Sequence, residues 1–158
     1  MTPLDLAGWR ALVGRELGVS SWHGLDQDRI DAFATLTEDH QFIHVDPVRA
    51  RATPLGGTVA HGFLTLSMLS RLAEEVVPPV RGALMSFNYG FDRLRFLAPV
   101  PAGGRIRGRF GLKDLRDRAP GEILLVLDVV VELDGSAKAA LAAEWLGLVL
   151  MERPVSPS

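Results

Sequence analysis

The chain contains no cysteine. That excludes a disulfide scaffold, thiolate zinc, iron–sulfur clusters and a cysteine nucleophile. Lysine is nearly missing as well: of 17 cationic side chains, 15 are Arg and 2 are Lys. Genomic base composition explains such a bias without any function. The alternative is phosphate recognition, since Arg makes bidentate contacts with phosphate. There is no excess of positive charge; the formal net charge is −2, which argues against a basic nucleic-acid-binding surface. Long hydrophobic runs are missing too. The longest, such as residues 123–127, fall far short of the roughly 20 residues a bilayer span needs. Residues 1–14 lack a charged start followed by a long apolar stretch. The expectation is a soluble, cytoplasmic protein with no nucleic-acid and no membrane partner.

What is present is an ordinary globular composition, 158 residues with 47% hydrophobic side chains. That suits one domain, since domains usually hold about 100–150 residues. Such a chain buries roughly 70% of its unfolded surface. One domain over residues 1–151 is expected, with a disordered tail at 152–158, where Pro and Ser cluster.

Periodicity divides this domain into a helical first half and a strand-rich second half. Leu6, Trp9, Leu12, Val13 and Leu17 have near-helical spacing, predicting an N-terminal helix over about residues 4–17 that Gly18 stops. Residues 20–25 read as a short extended piece. Asp26 can cap a helix carrying Ile30, Phe33, Ala34 and Leu36. Pro47 suits the first position of another short helix. Residues 61–77 are apolar on most sides and predict one long buried helix, ended by Pro78 and Pro79. After that the pattern alternates over residues 83–89, 92–97, 105–115, 122–133 and 139–151. Gly103–Gly104, Pro120–Gly121 and Asp134–Gly135 read as turn pairs, the last as a hairpin signal. Arg105, Arg107 and Arg109 share one strand face. A solvated sheet face explains them; an acidic or phosphate partner is the alternative. The order implies an α+β fold, an antiparallel sheet wrapped around a central helix.

Two clusters carry polar chemistry, Asp39-His40-Gln41-Phe42-Ile43-His44 and Ala60-His61-Gly62. A carboxylate and an imidazole that converge can share one water, one taking its proton while the other donates one. Imidazole titrates near neutral pH, and a partly buried Asp is a useful partner. Structural roles are the alternative: Asp39 as a turn cap, His61 as a polar cap at a helix start. His40 and His44 are four apart, which suits a metal on a helix. The segment does not match H-E-x-x-H, and no metal is expected. Gly62 opens the buried helix, where first-turn N–H groups lack intrahelical partners. With no side chain there, a ligand oxygen can approach the N–H, making an oxyanion hole. Close helix–sheet packing is the alternative reason for a glycine.

These clusters and their surroundings resemble a known family. The segments are Phe33-Ala34, then Asp39-His40-Gln41-Phe42-Ile43-His44-Val45-Asp46-Pro47, Ala50, and Pro54-Leu55-Gly56-Gly57-Thr58-Val59-Ala60-His61-Gly62-Phe63-Leu64. Asn88-Tyr89-Gly90-Phe91-Asp92-Arg93-Leu94-Arg95-Phe96 and Pro99-Val100-Pro101 continue the likeness. They resemble the MaoC-like dehydratases, which include the (R)-specific enoyl-CoA hydratases, in the branch named after nodulation protein N. The resemblance runs from about Ser20 to Met151.

That resemblance implies a hot-dog fold. It implies addition of water to a trans-2-enoyl-CoA to give an (R)-3-hydroxyacyl-CoA, and the reverse. Asp39 and His44 become the acid–base pair, and the Gly62 N–H the holder of the thioester oxygen. Which of the pair gives the proton and which takes it stays open. Coenzyme A is part of the substrate, so no separate cofactor is implied. A homodimer paired edge to edge is implied, with the coenzyme A site near the interface. Gln41, His61, Ser70, Ala73, Arg93 and Arg95 are the substrate-binding candidates. Ser70 and Ala73 are small and three apart, leaving room for an acyl chain or for tight helix–sheet contact. Arg93, Arg95, Arg105 and Arg107 are candidates for coenzyme A phosphates, or surface residues. One departure stands out. Many of these hydratases carry Asn-Pro where this chain has Gln41-Phe42, which bears on substrate and rate more than on reaction type. His40 is expected to be structural. Two rivals remain: a hot-dog acyl-CoA thioesterase, and a non-catalytic acyl-CoA-binding protein.

Overall fold

A computed structural model of the chain describes residues 1–152. Its elements are α1 (Leu6–Ala11), β1 (Arg15–Val19), β2 (His23–Leu25), α2 (Gln27–Thr37), α3 (Phe42–Val45), α4 (Pro47–Arg51), α5 (Gly62–Ser67) and α6 (Leu69–Ala73). The long strands follow: β3 (Ala83–Phe96), β4 (Gly104–Ala119), β5 (Glu122–Leu133) and β6 (Leu141–Met151). All strands join one antiparallel sheet in the order β1-β4-β5-β6-β3, with β2 also on β4. The expected tail lies outside the described residues, apart from Glu152, whose N–H donates to Gly82 O at 3.0 Å.

Alternation along the strands builds the core. Ile106, Phe110 and Leu112 of β4 face inward with Leu127, Val129 and Val131 of β5 and Leu141 of β6. Leu64, Leu69 and Leu72 of α5 and α6 fill the other side of that core. Each such side chain contributes about 1.5–3 kcal/mol when fully buried. Gly108 lets the two layers approach, since a Cβ there would stand 3.1 Å from Leu72 Cβ and closer still to the Phe110 ring. The outer face of β4 carries the arginines, and acids of the same chain meet them. Arg107 reaches Glu132 at 2.6 Å; Arg109 reaches Glu16 at 2.6 Å and Glu132 at 3.0 Å; Arg105 pairs with Asp134. The Arg107 hydrogen bond, with that of Arg109, holds the Glu132 carboxyl below its usual range. The acidic partner considered for this face is therefore internal.

Several expected boundaries move. The N-terminal helix covers only Leu6–Ala11, because Gly14 at φ 80° turns the chain and donates its N–H to Leu112 O at 2.7 Å. Val13 and Leu17 therefore fall outside the helix, Leu17 in β1. The long helix expected over 61–77 is two segments divided at Met68. Ser67 Oγ donates to Phe63 O at 2.8 Å, and a serine bonded back to the preceding turn bends a helix. Pro78 disfavours helix at Val77, and the chain leaves α6 after Ala73 through turns. The two strands expected at 83–89 and 92–97 are one, β3; the register shifts at Asn88/Gly90 and Asp92/Arg95 are bulges, not turns. The tight hairpin sits at Pro120–Gly121, where Ala119 faces Glu122; Asp134–Gly135 opens a longer link to β6. Asp26 accepts the Arg29 N–H, and Pro47 starts α4, as their positions predict. No helix is long and apolar enough to cross a membrane among the described residues.

The end of the helical layer is tied to the sheet through Glu75. Its carboxylate accepts the N–H and O–H of Ser21 at 2.7 and 2.8 Å, lies 2.8 Å from His23 Nε2, and pairs with Arg71 at 3.2 Å. The Ser21 backbone N–H, followed by its hydroxyl, holds the Glu75 carboxyl down to about 2. A carboxyl depressed in the folded state stabilises the fold fully above its unfolded value near 4.5 and loses that contribution as pH falls toward about 2. Glu75→Gln is expected to cost about 1–2 kcal/mol at pH 7, with the gap to the parent closing between pH 4.5 and 2 in urea titrations. A gap that stays constant with pH contradicts this.

Candidate active site

The candidate site lies where α2 gives way to α3. Helix α2 ends on Glu38, which adopts the left-handed conformation at φ 59° and reverses the chain. Asp39 follows, half-exposed, its Oδ1 accepting the Gln41 N–H at 3.3 Å. Helix α3 is a single turn whose His44 points inward and is 7% exposed. Its N–H donates to Gln41 O at 2.9 Å.

The opposite wall is the extended segment 58–60. Val59 donates to Ile43 O at 3.0 Å, Ala60 to Val100 O at 2.8 Å, and Thr58 O accepts from Ala102 at 2.9 Å. Gln27 braces the same corner, giving Nε2 to His44 O at 2.8 Å and accepting the Thr58 hydroxyl at 2.6 Å. Sequence reasoning did not single out Gln27; a polar residue in a first helical turn carries no distinguishing signal.

The two buried histidines have defined tautomers. His44 Nδ1 is 2.6 Å from Val59 O. A carbonyl only accepts, so Nδ1 carries a proton, and in the neutral ring Nε2 keeps the lone pair. His61 Nε2 is 3.0 Å from Asp39 O, so there Nε2 carries the proton. The His44 and His61 rings stack with centroids 3.8 Å apart and planes 25° apart. Phe33 packs on His61 with centroids 5.1 Å apart.

Asp39, His44 and His61 bring carboxylate and ring-nitrogen atoms within 4.8 Å of one another. Two hydrogen bonds of about 2.8 Å meeting at a tetrahedral water span about 4.6 Å, so carboxylate and imidazole lie within the reach of one shared water. A metal fits poorly. An ion shared by two face-stacked rings would lie far out of both ring planes.

Gly62 opens α5, directly after His61. It lines a cavity of about 310 Å³ with Thr65, Phe96, Ala98, Val100 and Ala140. Neither Asp39 nor His44 lines that cavity. A Cβ on Gly62 would meet the Phe96 ring at 3.1 Å, so close packing is itself a reason for glycine here.

The remaining candidates scatter. Gln41 and His40 are exposed. His61 is 3% exposed, packed beneath the site; it occupies the cap position of α5 without making a side-chain cap bond. Ser70 and Ala73 part company. At about 100° per residue, Leu72 and Ala73 flank Leu69 on the buried stripe while Ser70 falls well to one side, and it is exposed. Ala73 lines an apolar cavity of about 190 Å³ with Val77, Leu127 and Trp145. Arg93, on the Asp92/Arg95 bulge of β3 with φ 52°, pairs with Glu144 at 3.4 Å. Arg95 donates to Leu94 O at 2.7 Å. Neither lines the Gly62 cavity.

Comparison with known proteins fits this arrangement. A family model described as "MaoC like domain" matches residues 10–132. The chain belongs to the MaoC-like dehydratase family. Nodulation protein N of Rhizobium meliloti is 47% identical to this MaoC-like chain over 149 residues, 94% of the chain and 92% of that protein. The 3-hydroxyacyl-thioester dehydratase Z of Mycobacterium tuberculosis is 42% identical over 140 residues, 89% of this chain and 92% of its own. Among solved structures, the (R)-hydratase from A. caviae involved in PHA biosynthesis superposes with a TM-score of 0.67 at 25% identity, over 87% of this chain and 98% of that one. The MaoC-like fold is thus α+β, as the residue pattern implied, and the hot-dog fold that the family resemblance implied.

The Gly62–Phe96 contact yields a stability test. Gly62→Ala is expected to cost about 1–3 kcal/mol by overpacking, measured by chemical denaturation. Adding Phe96→Ala should recover most of it, because the ring that the new methyl meets is gone. No recovery would place the strain in the helix start itself.

Proposed function

We propose that this chain adds water to trans-2-enoyl-CoA thioesters to give (R)-3-hydroxyacyl-CoA, and catalyses the reverse dehydration. The observation that carries the reading is the approach of the Asp39 carboxylate to a ring nitrogen of His44 within the reach of one water. Relatives whose names state a thioester dehydratase and an (R)-specific enoyl-CoA hydratase support the reaction class.

The chemistry follows from those groups. Asp39 and His44 hold one water at C3 of the enoyl group. Its oxygen bonds to C3 as the C2–C3 π bond breaks, one of the pair takes its proton, the other, which enters protonated, delivers one to C2, and a proton passing between them restores the starting state. Negative charge collects on the thioester oxygen, where the Gly62 N–H donates. The cavity beside Gly62, which neither Asp39 nor His44 lines, receives the part of the substrate on the thioester side of the reacting carbons. Coenzyme A arrives with the substrate, and no further cofactor enters. Asp39→Ala and His44→Ala are each expected to lower crotonyl-CoA hydration at least about a hundredfold with the fold retained. Two folded variants at the parent rate would refute the assignment. Release of free thiol from acyl-CoA, absent in hydration, would instead indicate a thioesterase, and tight acyl-CoA binding without turnover a binding protein.

The working unit in this reading is a homodimer. Strand β3 is a sheet edge 14 residues long. It exposes Leu84, Met85, Phe87, Tyr89 and Phe96, each at 46–59%. A long apolar edge invites another strand. Analytical ultracentrifugation is expected to give the two-chain mass, and Phe87→Asp with Tyr89→Asp to give the single-chain mass. A parent that sediments as one chain removes the dimer.

A further inference from the structure

His61 touches every group to which the hydratase reading gives a task. Its ring stacks on that of His44 at 3.8 Å. Its Nε2–H is held by the backbone carbonyl of Asp39 at 3.0 Å, and the same nitrogen lies 4.0 Å from the Asp39 carboxylate. Its own carbonyl accepts the Thr65 N–H at 3.1 Å within α5, and the next residue is Gly62. The side chain is 3% exposed, and Nδ1 has no hydrogen-bond partner among the described residues. A substrate contact does not suit an atom so enclosed, and the stacked geometry does not suit a metal.

We infer that His61 is a positioning residue, the clamp that holds the acid–base pair in register with the Gly62 amide. The inference rests on the hydratase reading above and deepens it. Asp39 sits on a half-exposed turn, with one hydrogen bond from the Gln41 N–H and the left-handed Glu38 before it. Without His61, nothing described ties the Asp39 backbone carbonyl to the helix that carries Gly62. His44 is fixed in its plane by Val59 O, but that bond leaves the ring free to tilt about it. The His61 face removes that freedom. An apolar ring could supply the stack; only a donor at the Nε2 position also supplies the bond to Asp39 O. That pairing of a flat face with a donor explains an imidazole in an enclosed place where one nitrogen goes unsatisfied.

The test compares three variants of the full chain. Gln places an amide nitrogen near the Nε2 position, Asn falls short of it, and Leu lacks it. His61→Leu and His61→Asn are expected to lower kcat for crotonyl-CoA at least about tenfold with KM within about twofold. His61→Gln is expected to recover kcat to within about threefold of the parent. Asn guards against a Leu variant that does not fold. The second readout needs no activity. The slowly exchanging His44 Nδ1–H proton resonance should persist in the parent and in His61→Gln, and weaken or vanish in His61→Leu and His61→Asn. An unchanged resonance in all variants overturns the clamp. So does an equal loss of kcat in Gln and Asn, or a loss expressed in KM. If the parent itself fails to hydrate crotonyl-CoA, the hydratase reading falls, and the resonance alone decides whether His61 positions His44.

Discussion

Three residues of extended chain, 58–60, hold the site together. Val59 gives its N–H to Ile43 and its carbonyl to His44, so one residue spaces α3 and sets the tautomer of its histidine. Ala60 bonds to Val100 and Thr58 to Ala102, which anchors that segment to the link between β3 and β4. The single-turn α3 is too short to be stable alone. Its conformation is imposed by this segment and by Gln27. An imidazole that exchanges protons must present one nitrogen while the other is occupied, and the Val59 carbonyl occupies Nδ1 without spending a side chain.

The rest of the sheet serves as a stiff frame for that corner. Its inner face is apolar and continuous from β4 to β6, and its outer face is laced by Arg–carboxylate pairs. Exposed pairs contribute little singly, and the lacing matters chiefly because it consumes the arginines. Arg105, Arg107 and Arg109 all meet acids of this chain, and Arg93 meets Glu144. The excess of Arg over Lys therefore gives little support to phosphate recognition at these positions. A coenzyme A phosphate would have to compete with carboxylates already at 2.6–3.4 Å at Arg107, Arg109 and Arg93.

What could be read from residues alone divides by range. Strand alternation, the Asp26 cap and the Pro47 start depend on neighbours a few positions away, and they appear as expected. The Asp39–His44 motif was legible for the same reason. Long-range partners were not. Gly14 ends α1 because Leu112, almost a hundred residues on, accepts its N–H. Nothing local marks the Ser67 hydroxyl in an apolar helix, and its bond to Phe63 lies where that helix divides. Gly90 and Asp92 carry turn chemistry, yet β6 runs past them and leaves bulges. His61 was visible as a candidate but not its direction, because nothing local shows that its ring faces inward onto His44.

That inward direction is costly in a way that bears on function. Two imidazoles are buried at 7% and 3% exposure, and one nitrogen goes without a partner. An unsatisfied buried polar atom costs about 1–3 kcal/mol, and a Phe or Leu of similar size would avoid the charge. Stability alone would replace this pair with apolar side chains, as it has beside them at Phe33 and Leu64. Sites that keep polar groups against that pressure are the ones whose chemistry needs them. Structural histidines are usually satisfied on both nitrogens or half out in water. His44 and His61 are neither, and the half-exposed carboxylate of Asp39 stands within 4.8 Å of both. The energetic anomaly and the convergence of proton-carrying groups fall at the same place, and that coincidence is what the proposed function accounts for.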